Sequence, residues 1–257
     1  NALLGVLFVS IAAGIIGTYV VSRRMVFITG GITHACFGGL GLGFFLGINP
    51  IAMAAVFAIA AATGVEWMST RQNVRQDSAI GVIWALGMAL GTLFIFLSPG
   101  YVPELTSFLF GNVLTITSTD IILFAAYLVV LLAFFAVFYP QILLCAFDPD
   151  FAATRRLRVS AINLAMTIMI AICIVLTIRL IGIMLLMSLL TMPQMIAEMF
   201  TNRFHHMMII SSLVSIACSV LGIFCSYWIA VPASATIVLT LVAAYAVARI
   251  IRIIKAS

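Results

Sequence analysis

One histidine lies inside a long apolar stretch, where an ionisable side chain is costly unless it faces protein or water. His34 falls in the apolar run at about 27–48, with Gly30 one helical turn before it. Neutral imidazole binds zinc, iron, copper and nickel, and also manganese when carboxylates complete the shell. A histidine bonded to a neighbouring carbonyl meets the same physical requirement. We predict that His34 is a metal ligand on a transport pathway, and the structural alternative stays open.

The cysteines offer little further metal chemistry. Cys36 follows His34 by two residues, about 200° around an ideal helix, so both side chains bind one ion only if the helix is broken. The 5 cysteines show no CxxC spacing and lie in apolar segments. This pattern favours packing among helices over a disulfide framework or a zinc knuckle.

Small residues recur every four positions through the same segment. They are Gly31, Ala35, Gly39, Gly43 and Gly47. This spacing places them in one stripe along a helix, beside His34, where another backbone can approach closely. The stripe predicts a helix-packing seam.

A second candidate region for the pathway is interrupted by a proline. Pro193 and Gln194 lie within an apolar segment, and Glu198 follows near its end. A proline at mid-span frees a backbone carbonyl, and such irregularity is tolerated where it lines a cavity. We predict that these three residues line the pathway. The alternative for Glu198 is that it snorkels or pairs with Arg203.

A third candidate region is a short polar loop at about 147–159. Asp148 can cap a helix there, Pro149 fits its first position, and Asp150 favours its N-terminal dipole. The loop also contains Phe147, Phe151, Arg155 and Arg156. A short helix of this kind is either an interfacial element or a docking knob for a cytoplasmic partner.

The composition places all three candidate regions in a lipid bilayer. Hydrophobic residues make up 65% of the 257 residues and charged residues 7%, whereas about a quarter of the residues of a soluble domain are charged. We predict an all-α polytopic membrane protein with about eight or nine transmembrane helices, and a single transmembrane domain over residues 1–257. The apolar runs are at about 2–21, 27–48, 51–69, 79–97, 119–140, 161–179, 181–199, 207–228 and 234–250.

The charged loops predict the orientation. Every basic residue except Arg179 falls in alternate loops or after the last span, on one side of the predicted topology. By the positive-inside rule that side, including the C-terminus, is the cytoplasm. We interpret the net charge of +5 in this way, and not as a nucleic-acid-binding surface. On the other side, the apolar residues 108–111 are interpreted as a partly re-entrant or interfacial element.

The sequence also lacks the residues for ATP hydrolysis. A Walker loop needs a lysine inside a glycine-rich turn, and the only lysine is Lys255. We therefore predict that the chain is not an enzyme and binds no permanent cofactor.

Five stretches of the sequence occur in an order that is typical of one transport family. They are Phe27 to Ala35, Gln76 to Gly81, Phe147 to Ala152, Arg179 to Leu186 with the following Pro193, and Ser226-Tyr227 with Pro232 and Ala235 to Ile237. They resemble motifs of the ABC-type metal permeases. The first four are similar, in order, to that family's Phe-Ile-Gly-Asp-Ala-Leu-Ser-His-Ala, Glu-Asp-Thr-Ala-Ile-Gly, Phe-Asp-Pro-Glu-Phe-Ala and Arg-Val-Val-Gly-Val-Leu-Leu-Val. The fifth fits the last motif of the same family. This is the zinc, manganese and iron uptake family.

The resemblance implies a multi-pass permease of the bacterial cytoplasmic (inner) membrane. It implies a second permease copy as a homodimer partner, cytoplasmic ABC ATPase subunits that bind the ATP, and an extracytoplasmic metal-binding protein that delivers a divalent metal ion. The loop from Asp148 to Arg158 would then couple ATP hydrolysis to transport past the second and seventh spans.

The sequence departs from the family pattern near the predicted metal ligand. Gly30 stands where an aspartate is common, and Ala230 to Ala233 lacks the usual acid before the proline. Manganese prefers oxygen ligands, so we predict zinc as the cargo, with manganese or ferrous iron as alternatives. A permease for an iron chelate is a further alternative. An ion-driven secondary transporter is another, but it would need intramembrane acids that are nearly lacking here.

Overall fold

The computed structural model describes residues 2–72, 74–98, 111 and 116–256, and these contain helices and no strand. The first four helices are α1 (Ala2–Ser22), α2 (Val26–Leu46), α3 (Pro50–Arg71) and α4 (Gln76–Leu97). The others are α5 (Ser118–Phe147), α6 (Pro149–Thr154), α7 (Val159–Ile181), α8 (Ile183–Leu189), α9 (Met192–Phe200), α10 (Phe204–Ile229) and α11 (Ala233–Ala256).

Within the described residues, 9 helical segments are long and apolar enough to cross a membrane. Seven of the long helices each supply one span and α11 supplies another over Ala233–Ile254, while α8 and α9 together form the span Ile183–Phe200. The prediction of an all-α polytopic membrane protein is confirmed. The order of spans also agrees with the apolar runs read from the sequence.

The ends of several helices follow from identifiable residues. The Asn49 carboxamide oxygen accepts hydrogen bonds from the backbone N–H groups of Ile51 (3.0 Å) and Ala52 (3.3 Å), while Pro50 occupies the first turn of α3. Gly47 has a φ of 66° and ends α2, and the N–H of Ile48 donates to the carbonyl of Gly43. This left-handed cap explains why α2 ends two residues before its predicted limit.

Two other predicted spans differ from the structure in length or continuity. The span predicted at 119–140 continues to Phe147, because α5 continues past Pro140. The span predicted at 181–199 is divided, because Gly182 adopts a φ of 80° and the helix is interrupted again before Met192. Of the predicted re-entrant element, residues 108–110 lie outside the described residues.

The chain divides into two compact units. Unit 1 comprises Asn1–Arg24, Leu105–Val130 and Leu176–Ser257, and unit 2 comprises Met25–Glu104 and Leu131–Val175. In unit 1, α1 packs against α8, α9 and α10, and α11 packs against α9 and α10. In unit 2, α2 packs against α3 and α4. The prediction of a single transmembrane domain stays a prediction.

Candidate functional site

His34 lies on α2 with its ring stacked against an aromatic ring of α4. The ring centroids of His34 and Trp84 are 4.3 Å apart and the two planes differ by 12°. The Phe37 ring lies 5.8 Å from the imidazole centroid at an angle of 30°. The Nδ1 atom of His34 is buried and has no hydrogen-bond partner in the described part of the chain. The imidazole is therefore held by rings, and this nitrogen is free to act as a ligand.

The other polar side chains of α2 are turned back onto their own helix. The Thr29 hydroxyl donates to the carbonyl of Val26 (2.6 Å), and the Thr33 hydroxyl donates to the carbonyl of Thr29 (2.5 Å). The Cys36 thiol donates to the carbonyl of Ile32 (3.1 Å). Because α2 is continuous from Val26 to Leu46, Cys36 and His34 point to different sides of the helix. Cys36 is therefore not a partner for His34.

Gly30, one turn before His34, is buried and adds no side chain to the site. Among the described residues no group of three or more His, Cys, Asp or Glu side chains could hold a metal ion. Within the described residues, His34 is therefore not part of a side-chain cluster that could by itself complete the ligand shell of a metal ion.

The predicted stripe of small residues divides between two neighbouring helices. A Cβ atom on Gly39 would lie 2.7 Å from Cα of Ala54, and one on Gly43 would lie 2.5 Å from Cα of Pro50, so both glycines face the backbone of α3. On the other side, a Cβ atom on Gly31 would lie 2.6 Å from the Ile80 side chain, and Ala35 lies against Gly87 of α4. Both α3 and α4 therefore pack closely against the small residues of α2.

The structure corrects the prediction for one member of this stripe. Gly47 has no atom within 4 Å of an added Cβ, because it lies beyond the end of α2 and forms its left-handed cap. Glycines outside the predicted stripe complete the contact with α4: a Cβ atom on Gly41 would lie 2.6 Å from the carbonyl oxygen of Gly91. The period of four missed Gly41, whose contact with Gly91 depends on how α2 and α4 pack.

In unit 1, Pro193 lies at the start of α9 and Gln194 follows it, both buried. Proline has no N–H, so the carbonyl of Leu189, four residues earlier, loses its helical donor. The Gln194 side-chain amide donates to that carbonyl at 3.2 Å and to the carbonyl of Ala13 on α1 at 2.7 Å. Glu198, one turn later, is exposed. The Leu189 carbonyl at the end of α8 is therefore hydrogen-bonded by the Gln194 side chain of α9.

The polar loop forms the short helix that the sequence predicts. The Asp148 carboxylate accepts a hydrogen bond from the N–H of Phe151 (2.9 Å), and Pro149 is in the first turn of α6. The Arg155 guanidinium lies over the Phe151 ring, 5.2 Å from its centroid. Phe147 is 60% exposed and Phe151 45% exposed. One exposed aromatic side chain, Phe151, thus lies on the capped helix, and the other, Phe147, lies at the end of α5 just before the cap. The first turn of α6 carries Asp150, and its end is followed by Arg155 and Arg156.

An ion pair in unit 1 was missed by the sequence analysis. Arg179 Nε lies 2.7 Å from one Asp120 carboxylate oxygen, and Asp120 is 8% exposed. The other oxygen accepts from the Thr117 hydroxyl (2.6 Å) and backbone N–H (3.1 Å), which forms a capping box for α5. The signal was present in the sequence, because Arg179 was the one cation on the predicted outer side and needed an acid.

The backbone near this ion pair is closely packed. Gly111 has a φ of 57°, and a Cβ atom on it would lie 2.7 Å from Cα of Gly182. Both residues belong to unit 1. Gly111 therefore packs against the backbone at the break between α7 and α8.

The set of membrane-spanning helices agrees with comparisons to known proteins. Residues 1–252 match the model of the ABC 3 transport family, and the chain belongs to that family. It is 32% identical over 257 residues to a probable metal transport system membrane protein of Chlamydia trachomatis, which covers 98% of this chain and 88% of the relative.

Two further proteins are similar over most of their length. A manganese transport system membrane protein of Listeria monocytogenes is 28% identical over 239 residues, 93% of this chain and 85% of that protein. The solved structure of PsaBC from Streptococcus pneumoniae in complex with a Fab is similar with a TM-score of 0.84 and 28% identity, covering 96% of this chain and 89% of the other. The predicted resemblance to a family of metal permeases is confirmed.

Proposed function

We propose that this chain is the membrane permease of an ABC importer that carries a divalent transition-metal ion across the bacterial cytoplasmic membrane. The observation that carries the proposal is the combination of the family match over residues 1–252 with an imidazole nitrogen that has no partner among the described residues. The names of relatives from Chlamydia and Listeria as metal or manganese transport proteins support it.

Two observations bear on the identity of the metal, and they favour different ions. The ligand set favours zinc, because His34 supplies a nitrogen and Gly30 removes the carboxylate that the resemblance leads one to expect. The Listeria relative favours manganese, since its name specifies that ion. A competition experiment decides between zinc, manganese and ferrous iron.

The energy for transport enters, in this proposal, through α6. Phe151 on α6 and Phe147 just before it are exposed apolar side chains that a partner protein could cover, and Asp150 provides a charge at the helix start. We assign the partner as a pair of cytoplasmic ABC ATPase subunits, which bind the ATP. A second permease copy and an extracytoplasmic metal-binding protein complete the importer, and the C-terminus is cytoplasmic.

The pathway residues are proposed as His34 and Gly30 in unit 2 and Pro193, Gln194 and Glu198 in unit 1. His34 acts as a ligand, while Gly30 leaves space beside it. In the region around Pro193 the broken helix supplies carbonyl oxygens, of which Leu189 is already bonded by Gln194. Ligands from carbonyl groups suit an ion that must be released again after binding.

The test is ATP-dependent uptake by the permease reconstituted with its ATPase in lipid vesicles, with zinc, manganese and ferrous iron in competition. His34→Ala is expected to reduce uptake of the cargo by at least tenfold without loss of assembly. His206→Ala is the matched control, since His206 is an exposed histidine at the start of α10. Equal uptake by His34→Ala and the unmodified complex would remove His34 from the pathway.

The coupling role is tested in the same vesicles. Asp150→Arg reverses the charge at the first turn of α6 and opposes the helix dipole. We expect transport to fall while the ATPase keeps its hydrolysis in detergent. Full transport by this variant would show that α6 is not the docking element.

A further inference from the structure

The orientation of the His34 ring has an unusual physical origin. A histidine that binds a metal ion usually donates its other ring nitrogen to a carboxylate or carbonyl group, which fixes the plane of the ring. Neither ring nitrogen of His34 has such a partner among the described residues, and the nearby Thr29 and Thr33 hydroxyls donate to carbonyls of α2. A hydrogen bond to the imidazole therefore does not set the plane of this ring, whichever nitrogen binds the ion.

Stacking against Trp84 sets the plane of the His34 ring instead. The Trp84 indole lies nearly parallel to the imidazole, with 4.3 Å between centroids and 12° between planes. Imidazole binds a metal ion through a lone pair in the plane of the ring, whereas a stacked ring covers a face. The contact with Trp84 thus restricts the tilt of the imidazole and covers a face of the ring, not the lone pair in its plane.

The position of Trp84 is itself fixed by the backbone. Gly87, one turn after Trp84 on α4, faces α2 so closely that a Cβ atom there would lie 3.0 Å from the His34 carbonyl oxygen. A larger residue at 87 would separate the two helices and pull the indole from the imidazole. Gly87 and Trp84 together hold a flat aromatic surface at a set distance from His34.

We propose that Trp84 is a positioning residue for the transported metal ion: it holds the His34 imidazole by stacking, in the role that a hydrogen-bonding carboxylate has in other histidine metal sites. The inference rests on the proposed function of His34 as a ligand. It extends that function by assigning a residue on α4, outside the pathway set, to the affinity of the site.

The first test is metal uptake as a function of concentration by Trp84→Ala and Trp84→Phe in vesicles with the ATPase. Loss of a residue that orients a ligand typically lowers metal affinity about 10- to 100-fold. We expect Trp84→Ala to raise the half-saturating metal concentration about tenfold with a smaller change in maximal rate. Trp84→Phe keeps an aromatic face and should recover most of the loss. Trp67→Ala on α3 is the control, because Trp67 is 55% exposed and makes no ring contact with His34.

The second test reads the contact directly and needs no transport. The chain contains 3 tryptophans, so Trp67→Phe with Trp228→Phe leaves Trp84 as the single indole. Adding Co²⁺, which quenches fluorescence at short range, should quench this protein in lipid nanodiscs, and His34→Ala should abolish the quenching. This readout also applies if Trp84→Ala fails to assemble.

The outcomes separate the two proposals. Uptake that needs His34 but has the same half-saturating concentration in Trp84→Ala overturns the role of Trp84 alone. The absence of quenching by Co²⁺ in the single-tryptophan protein, with uptake intact, does the same. No metal uptake by the unmodified complex with its ATPase and delivery protein overturns the proposed function, and the role of Trp84 falls with it.

Discussion

The most buried helices of the two units, α1 and α2, pack by different means. The membrane-spanning window of α1 is 72% buried and that of α2 is 78% buried, against 17% for α4. The surface of α2 that meets α3 and α4 consists largely of glycine and alanine, and its hydroxyls are bonded internally. On α1, the Thr18 hydroxyl lies within hydrogen-bond distance of a hydroxyl of the neighbouring helix α10. In lipid, where apolar contact alone does not drive helix association, these are two separate sources of stability.

The polar contact in unit 1 is centred on Thr18 of α1 and Ser211 of α10. The Thr18 hydroxyl donates to the carbonyl of Gly14 (2.6 Å) and lies 3.3 Å from the Ser211 hydroxyl oxygen. The Ser211 hydroxyl lies 3.2 Å from the Gly14 carbonyl oxygen and 3.1 Å from the Met208 carbonyl oxygen of its own helix, and its one proton can go to either. Such bonds stabilise a pair of membrane helices modestly, by about 0.6 kcal/mol on average. The glycine contact in unit 2 depends on shape, so a single added side chain should disturb it far more.

The largest effect is therefore expected for Gly39→Leu. A Cβ atom at this position would lie 2.7 Å from Cα of Ala54, and backbone cannot move aside as a flexible side chain can. Overpacking typically destabilises by about 1–3 kcal/mol, and a backbone obstacle should place this variant at or above the upper end. We expect little monodisperse protein by size-exclusion chromatography in detergent.

Gly81 provides the matched control for this prediction. A Cβ atom on Gly81 would meet nothing within 4 Å, and the residue lies in the helix α4. Gly81→Leu should therefore give normal yield and thermal stability. If Gly39→Leu behaves like Gly81→Leu, the backbone contact between α2 and α3 is not important for folding.

The comparison of the two helices also shows what the sequence reveals. The spans are predictable because each needs about 20 apolar residues, and the α6 cap because Asp148 and Pro149 are adjacent. The stacking of Trp84 on His34 was not predictable, because it depends on the distance between two helices. The bond from Gln194 to Ala13 joins residues 181 positions apart, and no local spacing indicates such a contact. Local chemistry was readable, while its partners were not.

The second prediction concerns the ion pair, which like the serine contact joins polar groups in unit 1 but involves full charges. Asp120→Ala removes the partner of Arg179 and the cap of α5. Breaking a buried pair typically destabilises by about 3–5 kcal/mol, and because Arg179 is 36% exposed we expect about 2 kcal/mol. The measurement is SDS-induced unfolding in mixed micelles. The double variant Asp120→Ala with Arg179→Met should recover part of the loss, and an additive double variant would show that the charges do not interact.

The third prediction concerns Gln194, whose amide bonds both to α1 and to the carbonyl freed by Pro193. Gln194→Leu preserves the approximate volume and leaves the Leu189 carbonyl without that donor. The loss of a buried hydrogen-bond donor typically destabilises a protein by about 1–3 kcal/mol. The destabilisation should be smaller here, because the substitution also removes the unpaired Gln194 Oε1. We expect Gln194→Leu to lower the free energy of unfolding by about 1 kcal/mol in the same SDS assay. Gln194→Glu should be worse, since it adds a charge at a fully buried position; equal stability of both variants would mean that the amide bonds contribute nothing.

The smallest effect, and the finest test of the comparison, separates two serines of α10. Ser211 and Ser215 are both fully buried and lie one helical turn apart, but only Ser211 has hydrogen-bond partners among the described residues. Ser211→Ala should destabilise by about 0.6 kcal/mol, the average for a membrane hydrogen bond. Ser215→Ala should be neutral or slightly stabilising, because it removes a buried hydroxyl that has no partner there. If the two alanine variants lose equal stability, the hydrogen bond between α1 and α10 does not contribute to stability. The helices of unit 1 would then be held together by close packing, as those of unit 2 are.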